Sequence, residues 1–579
     1  MKKYTLLAVA TLAIATIVAI ASVWHDSPVV DEIPHIGAGY SYVTEHAYKY
    51  NPEHPPLAKD LAGLALLPLH LNQSALYRSH QINYGSDVHG QWDLGRDLIF
   101  TSGNNAVTLV HAAKLPMLLF FIFCGLIIFF WTRKLYGDKT ALLAIFLFAF
   151  SPTIVAHSRL VTTDMAALFG VLFGALGMIN FLEKPSVTNF WVAAATIGVS
   201  LITKFSTFLL LPYFVLITLV FSFAHHRRFS VILKDAGKTI VAIIMGFVII
   251  VGPVYQLHLL NYSPADQKAD ATIILDNYQL KPAADLVLWA SDKPVIRPIA
   301  QYALGLLMVF QRNEGGNLVY FLGKLDNDGS VAYFPVVFAL KEPLPFLILI
   351  LFALIGTLFM MRRSTLRAFL AKYFPQVAMV IWIAIYGAFS LTAKVDIGIR
   401  HLMPIYGFLF ILTAGQAISF YEHLGRKKLI RWLGFGLLAW YLVEFIAIYP
   451  YYLSYFNEFA GGPAGGYRYV ADSNLDWGQD LWRLADYVKE NNIQKISLDY
   501  FGWADQAYYI GDPFVWITGG QYVSAAQFLR DNPGGGWIAI SATFYDQSLH
   551  DQNRHYAWLE AYPPTTVIGH SIFVWHITQ

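Results

Sequence analysis

The chain has 579 residues, 56% of them hydrophobic and 16% aromatic, with only 13% charged and a mean hydropathy of +0.47. Soluble domains carry about a quarter charged residues, so this composition excludes an ordinary soluble protein and points to a polytopic membrane chain. A net charge of +2, with no basic run that resembles a nucleic-acid footprint, argues against a nucleic-acid partner, and the single Cys124 allows no intrachain disulfide and shows no cysteine-based zinc site.

A spanning helix needs about 20 mostly apolar residues, because the hydrocarbon core is roughly 30 Å thick. On that rule the sequence predicts spans near 5–23, 105–131, 140–157, 165–182, 189–203, 206–222, 239–259, 335–360, 376–393, 402–420 and 432–449. Eleven is an odd number, so the two termini are expected on opposite sides. The first segment has the basic start and small residues of a signal peptide, but its apolar run is longer than a usual signal core, so it reads as a retained anchor.

Lys and Arg in the loops set the expected orientation. With the N-terminus inside, inner segments hold eighteen cations (Lys2, Lys3, Arg133, Lys134, Lys139, Lys184, Arg227, Arg228, Lys234, Lys238, Arg362, Arg363, Arg367, Lys372, Arg426, Lys427, Lys428 and Arg431). The short outer turns hold four: Arg159, Lys204, Lys394 and Arg400. Three parts then face outward: a loop over 24–104, a loop over 260–334, and everything from Pro450 onward. After "GGPAGG" that tail alternates helical "DLWRLADYVKENN" and "SAAQFLRDN" with strand-like "KISLDYFG", "GWIAISATF" and "SIFVWHIT". The pattern predicts an extracytoplasmic α/β domain over 450–579 behind a mainly α transmembrane bundle over 1–449.

Ionisable groups near membrane depth cost free energy and are functional candidates. Asp31 and Glu32 stand side by side after the first span and offer either a hydrated helix end or a base with an orienting partner. In "NPEHPPLAK" two prolines fix an extended backbone after His54, and Lys59 falls in the first turns of the next helix. "SRLVTTDMAAL" places Arg159 five residues before Asp164; a surface ion pair there would contribute only ~0–1 kcal/mol, so the outward arginine asks for another reason, such as an anionic ligand. Lys204 is a lone cation between two apolar runs, a snorkelling lysine or part of the same anion site. Arg400 and His401 open a span on the outer side and are expected to line a cavity. Carboxylates and cations gathered at the outer membrane surface suit a lipid-linked phosphate substrate better than a soluble one.

"DE", then "HPPLAK" some 23 residues on, then "SR" with an Asp five positions past the Arg, then a lone Lys before an apolar span, resemble the protein O-mannosyltransferases. More broadly the chain is similar to the GT-C fold glycosyltransferases (glycosyltransferase family 39-like), which include the lipid A aminoarabinose transferases. "YFPVVFALKEPLP" and "GIRHLMPIYGFLF" resemble bacterial members, and the resemblance covers roughly residues 1–420. It implies an enzyme that moves a hexosyl, mannosyl or pentosyl group from a polyprenyl-phosphate sugar to a hydroxyl of a protein, glycan or lipid acceptor. In such an enzyme Asp31 would be the base, with Glu32 in support. Arg159 would neutralise the leaving phosphate, with His54, Lys59 and Lys204 as candidate helpers, and Asp164 would orient Arg159 or touch the sugar. The transfer would invert the anomeric centre, with no metal and no cofactor, the donor being a substrate. It would proceed in the cell envelope, at the outer face of a bacterial inner membrane. The 260–334 loop is too short for the β-trefoil of eukaryotic mannosyltransferases; "RNEGGNLVYFLGKLDNDG" offers Arg312, Glu314 and Asn317 there as substrate contacts instead.

"DSNLDWGQD" begins like a calcium loop at Asp472, Asn474 and Asp476, but Trp477 stands where Gly is needed and Arg483 where Glu is, so a turn joining the tail to the bundle is the better reading. "GGPAGG" lacks the Lys-Ser/Thr of a phosphate cradle and reads as a hinge. "AHHRRF" reads as an inner basic loop beside anionic lipid. Two rival functions remain at this level: a transporter or flippase of a lipid-linked sugar, and a non-catalytic cell-envelope scaffold. An odd span count without a visible repeat fits a transporter poorly.

Overall fold

The computed structural model describes residues 2–81, 90–225, 228–361, 365–423 and 427–578. Arg227, Arg362, Arg363 and Arg426, four of the expected inner cations, lie outside the described residues, as does part of "AHHRRF". Among the described residues, eight helices are long and apolar enough to cross a membrane: Lys2–Val23, Ala106–Tyr136, Asp164–Glu183, Phe205–His225, Phe229–His258, Phe374–Leu391, Ile399–His423 and Lys428–Ala447.

The other three expected spans are present in altered form, and proline explains two of them. The 140–157 segment is a pair, Asp138–Ala149 and Pro152–Ser158, bent by 62°. Ser151 is extended before Pro152, and its hydroxyl accepts the Ile154 N–H at 3.3 Å, so it ends one helix and caps the next. The 335–360 segment turns by 118° between Tyr333–Lys341 and Leu344–Leu358, where Glu342 is extended ahead of Pro343. The 189–203 segment is the 15-residue helix Val187–Leu201, shorter than a full crossing. The span count among the described residues is therefore eight, or ten with each bent pair taken as one.

Asp164–Glu183 runs through the middle of the bundle. Its Gly170, Gly174 and Gly177 face Thr203, Ser200 and Thr196; a Cβ at any of the three would lie 2.1 to 2.6 Å from the facing hydroxyl oxygen. Small residues let two helices approach this closely in lipid. The contact fixes Val187–Leu201 against Asp164–Glu183 and so brings Lys204, three residues past the one, to Asp164, the first residue of the other. The loop over 24–104 packs in the same way: Gly39 of Glu32–Glu45 meets Lys59 O and Gly63 of Leu57–Leu66 meets Gly39 O, each 2.2 Å from an added Cβ.

The C-terminal part is α/β, as the alternation predicts. Ile496–Asp499 pairs in parallel with Phe514–Trp516 and Gly536–Ser541; Ile572–Ile577 pairs antiparallel with Gly536–Ser541 and Thr566–Ile568. Helices Leu481–Glu490, Gln506–Ile510, Ala525–Asp531 and Ala542–His550 complete it. The segment 472–480, between bundle and sheet, runs against residues 26–31 and 397–400.

Candidate functional site

A cleft of about 150 Å³ opens where the loop over 24–104, the helix Arg297–Gly315 and one end of each of three spans meet. Asp31, Glu53, His54, Lys204, Arg312, Arg400 and His401 supply its ionisable lining; Phe205, Phe208, Leu209, Leu306, Val309, Phe310 and Phe389 supply an apolar wall. Thr163, Ser206 and Tyr386 add hydroxyls.

Asp31 stands at the N-terminal end of Glu32–Glu45, and its side chain is 22% exposed. Arg400 Nη1 donates to its Oδ2 at 2.6 Å. Burial raises the Asp31 pKa, but Arg400 and then His35 outweigh it and hold the carboxyl below its usual range. Arg400 Nη1 also lies 3.7 Å from Asp164 Oδ2, and Lys204 Nζ donates to Asp164 Oδ1 at 2.6 Å. Asp164 is therefore the counter-ion of both cations, and all three sit beside Asp31. Arg312 is 3.6 Å from Glu53 at the rim, with its side chain 46% exposed. His54 lies in the wall with its ring edge-on to His35 at 5.2 Å, and burial pushes its pKa well below the ordinary value, so it is neutral near pH 7.

The structure brings seven of the sequence-predicted residues to this cleft: Asp31, His54, Asp164 (through its two cations), Lys204, Arg312, Arg400 and His401. Glu314 and Asn317 are not in its lining, and Glu32, Lys59 and Arg159 face elsewhere. Glu32 is fully buried; Oε1 accepts the Val161 N–H at 2.8 Å, and Oε2 accepts the Val29 N–H at 3.0 Å and lies 3.2 Å from Lys114 Nζ. It ties the Asp31 loop to the turn before Asp164. Lys59 donates to Asn51 O, Asn51 Oδ1 and His54 O at 2.7, 2.9 and 2.7 Å and packs over the Tyr42 and Tyr48 rings, so it fastens the 51–54 turn. Arg159 does not pair with Asp164. Its guanidinium donates to Ser22 Oγ at 2.9 Å and lies 3.2 Å from Asp26, which also binds Arg483 at 2.6 Å.

Residues 106–254, the stretch that contains Asp164 and Lys204, match the family profile described as dolichyl-phosphate-mannose-protein mannosyltransferase. The family match and the motif resemblance agree. No curated protein sequence matches the chain. Among solved structures it is similar to ArnT from Cupriavidus metallidurans bound to undecaprenyl phosphate (12% identity, TM-score 0.45, 98% of this chain and 97% of that one). It is similar also to the Archaeoglobus fulgidus oligosaccharyltransferase (12%, 0.43, 94% and 70%) and to the S. cerevisiae protein O-mannosyltransferase complex bound to its sugar donor (17%, 0.32, 45% and 34%). Likenesses at this level assign neither a substrate nor a residue role to this chain.

Glu53 and Tyr386 were not singled out from the sequence. Glu53 stands inside "NPEHPPLAK" beside His54, and its acid next to a conformationally fixed turn was the available signal. Tyr386 lies inside an apolar span and gives none. Among the described residues no group of three or more His, Cys, Asp or Glu side chains has metal-site geometry, and Asp472, Asn474 and Asp476 instead form the turn that the sequence favours.

Proposed function

We propose that the chain is a membrane glycosyltransferase that moves a sugar from a polyprenyl-phosphate donor to a hydroxyl on a protein, glycan or lipid acceptor. One observation carries this reading: a single cleft combines a carboxylate held by only one of its oxygens, a group of cations, and an apolar wall at the mouth of the bundle. A lipid phosphate needs the last two and an attacking hydroxyl needs the first. The family match over 106–254 supports the same class of donor.

In the proposed reaction Asp31 Oδ1 takes the proton of the acceptor hydroxyl as that oxygen attacks the anomeric carbon. The bond from that carbon to the phosphate oxygen breaks, and polyprenyl phosphate leaves with the electron pair on the opposite face, inverting the centre. Arg400 holds Asp31 ionised and aimed by binding Oδ2. Lys204 and Arg312 meet the charge that develops on the leaving phosphate, where preorganised cations in a partly dry site are most effective. Arg312 suits this role because its pairing to Glu53 is loose at 3.6 Å, whereas Lys204 and Arg400 are held by carboxylates at 2.6 Å. The proposed chemistry uses no cofactor. The positive-inside bias of the loops supports a cleft and α/β part on the outer face of a bacterial inner membrane.

The test is reconstitution in liposomes with a labelled polyprenyl-phosphate sugar and a mixture of hydroxyl acceptors. Acceptor-dependent release of polyprenyl phosphate is expected, and Asp31→Asn should lower it by about 10²–10⁴-fold. Passage of intact donor between leaflets, without release, would make the chain a transporter instead.

A further inference from the structure

The segment Asp472–Asp480 reaches from the α/β part to both members of the Asp31–Arg400 pair. On the arginine side, Ser473 Oγ accepts from Arg400 Nε at 3.1 Å while donating its own proton to Ile397 O, so one hydroxyl is used in both directions. The Arg400 guanidinium lies 4.1 Å from the centre of the Trp477 ring, a cation–π contact made by a tryptophan that is 1% exposed. Asn474 Oδ1 accepts the Ile399 N–H at 2.9 Å. Gly398 comes so close that a Cβ there would lie 2.2 Å from Ser473 Oγ, and its φ of +150° suits only glycine. On the aspartate side, Trp477 O accepts the Val30 N–H at 3.0 Å, Gln479 O accepts the Ser27 N–H at 3.0 Å, and Gly478 O accepts the Ser27 hydroxyl at 2.7 Å.

Arg400 has four groups within reach and a long, flexible side chain. Asp31 and Asp164 alone would leave its guanidinium free to tilt between two carboxylates. Ser473 fixes Nε and Trp477 fixes the plane, so that Nη1 points at Asp31. The same short segment fixes, by main-chain bonds, the loop that carries Asp31. We infer that Trp477 and Ser473 are positioning residues of the site, and that the α/β part completes the site by setting the angle between Arg400 and Asp31. Neither residue touches substrate; each acts through Arg400. This inference rests on the transferase reading for its kinetic consequence and on geometry alone for the coupling.

Two measurements on the full-length chain test it. Trp477→Leu should lower kcat for polyprenyl phosphate release by about 10- to 100-fold while leaving the donor KM within about twofold, because small misplacements of a catalytic group cost rate more than binding. Trp477→Phe, which keeps a ring under the guanidinium, should recover most of that loss, and Ser473→Ala should fall between. Independently of turnover, the thermal midpoints of Trp477→Leu, Arg400→Met and the double variant should be non-additive, with the double variant melting close to the worse single one. Additive midpoints would overturn the inference. So would a Trp477→Phe variant no better than Trp477→Leu, or a rate loss matched by loss of folded protein. If the wild-type chain releases no polyprenyl phosphate, the transferase reading fails, and the midpoint cycle still decides the coupling.

Discussion

Arg400 Nη1 lies 2.6 Å from Asp31 Oδ2, although 369 positions separate the two residues in the chain. The pairing keeps a partly buried carboxylate charged, and its effect on pH dependence has a definite sign. A base works in its ionised form, so activity is lost as the pH falls through the Asp31 pKa. Burial raises that pKa, and Arg400 and His35 more than reverse it, so the acid limb of the wild type is expected below the ordinary carboxylate value of about 4. Arg400→Gln removes the larger of the two opposing charges and leaves the burial. Its acid limb should therefore move to higher pH. For every pH unit that the limb rises, about tenfold of the ionised base is lost on the acid side. Turnover measured from pH 4 to pH 8 checks this; an unmoved limb would show that Arg400 does not set the charge state of Asp31.

Arg159 and Arg312 should respond in opposite ways. Arg159 is 2% exposed and bound to Ser22 and Asp26, so Arg159→Met strips Asp26 of one of its two arginines, leaves Arg483 in place, and should lower the thermal midpoint, at a cost of about 1–3 kcal/mol. Arg312 is half exposed at the rim. Arg312→Gln should leave the midpoint unchanged and raise the donor KM by about tenfold, the loss of one charge-assisted contact worth about 1.5 kcal/mol. Melting curves and initial rates on the two variants separate these outcomes.

The sequence made most of the architecture and part of the cleft legible. All eleven apolar segments contain helices, and the C-terminal alternation of helix and strand reads directly as α/β. The two bends were not resolved because a hydropathy window averages across Ser151-Pro152 and Glu342-Pro343, although the prolines were in plain view. Cations proved the harder case. Lys204 and Arg159 look alike in sequence, each a cation in a short turn beside a span. What separates them is the partner: Lys204 meets Asp164 because a glycine stripe fixes two helices, while Arg159 meets Asp26, a residue 133 positions earlier. Composition and spacing identify a charged group but not what it faces. Trp477 shows the same limit, since within "DSNLDWGQD" it counts only as the bulky residue where a calcium loop needs Gly, and its partner lies 77 positions upstream.

Glu32 and Lys114 form a buried pair, 0% and 3% exposed at the side chain. Glu32→Gln should destabilise by about 1–3 kcal/mol, because Lys114 would lose its paired carboxylate and keep only the more distant Asp26. The double variant Glu32→Gln/Lys114→Met removes the stranded charge and should recover much of that loss. Thermal unfolding of the three variants is the measurement. If the double variant melts no higher than the single one, the two backbone N–H groups of Val29 and Val161, rather than Lys114, are what Glu32 chiefly serves.

A second pH effect concerns stability. Burial pushes the pKa of Asp476 up to about 8, against an ordinary 3.8, with Thr543 opposing, and burial pushes that of Asp472 up to about 6, with Arg400 opposing. Between the ordinary value and the raised one, the folded carboxyl keeps a proton that the unfolded chain has released. Stability therefore falls as the pH rises through that window, by up to about 1.4 kcal/mol per pH unit for each group, and levels off above the raised value. The wild type should melt lower at pH 8 than at pH 6.5, a range above the window in which buried neutral histidines such as His54 act in the opposite sense. Asp476→Asn, which cannot ionise and keeps an oxygen for the Thr543 N–H, should narrow that gap. A gap that persists unchanged in Asp476→Asn would remove Asp476 as its source.

The contact of Ser473 and Trp477 with Arg400 also orders events during synthesis. Residues 2–31 and 399–400 leave the ribosome long before the sheet that holds the segment 472–480 in place, and the last strand of that sheet ends at Ile577. Every membrane helix can be inserted while the arginine is still unsupported. A ribosome-bound intermediate would thus carry all the cleft's charged groups with the arginine still unset, and the site would be completed only once the sheet behind 472–480 has folded.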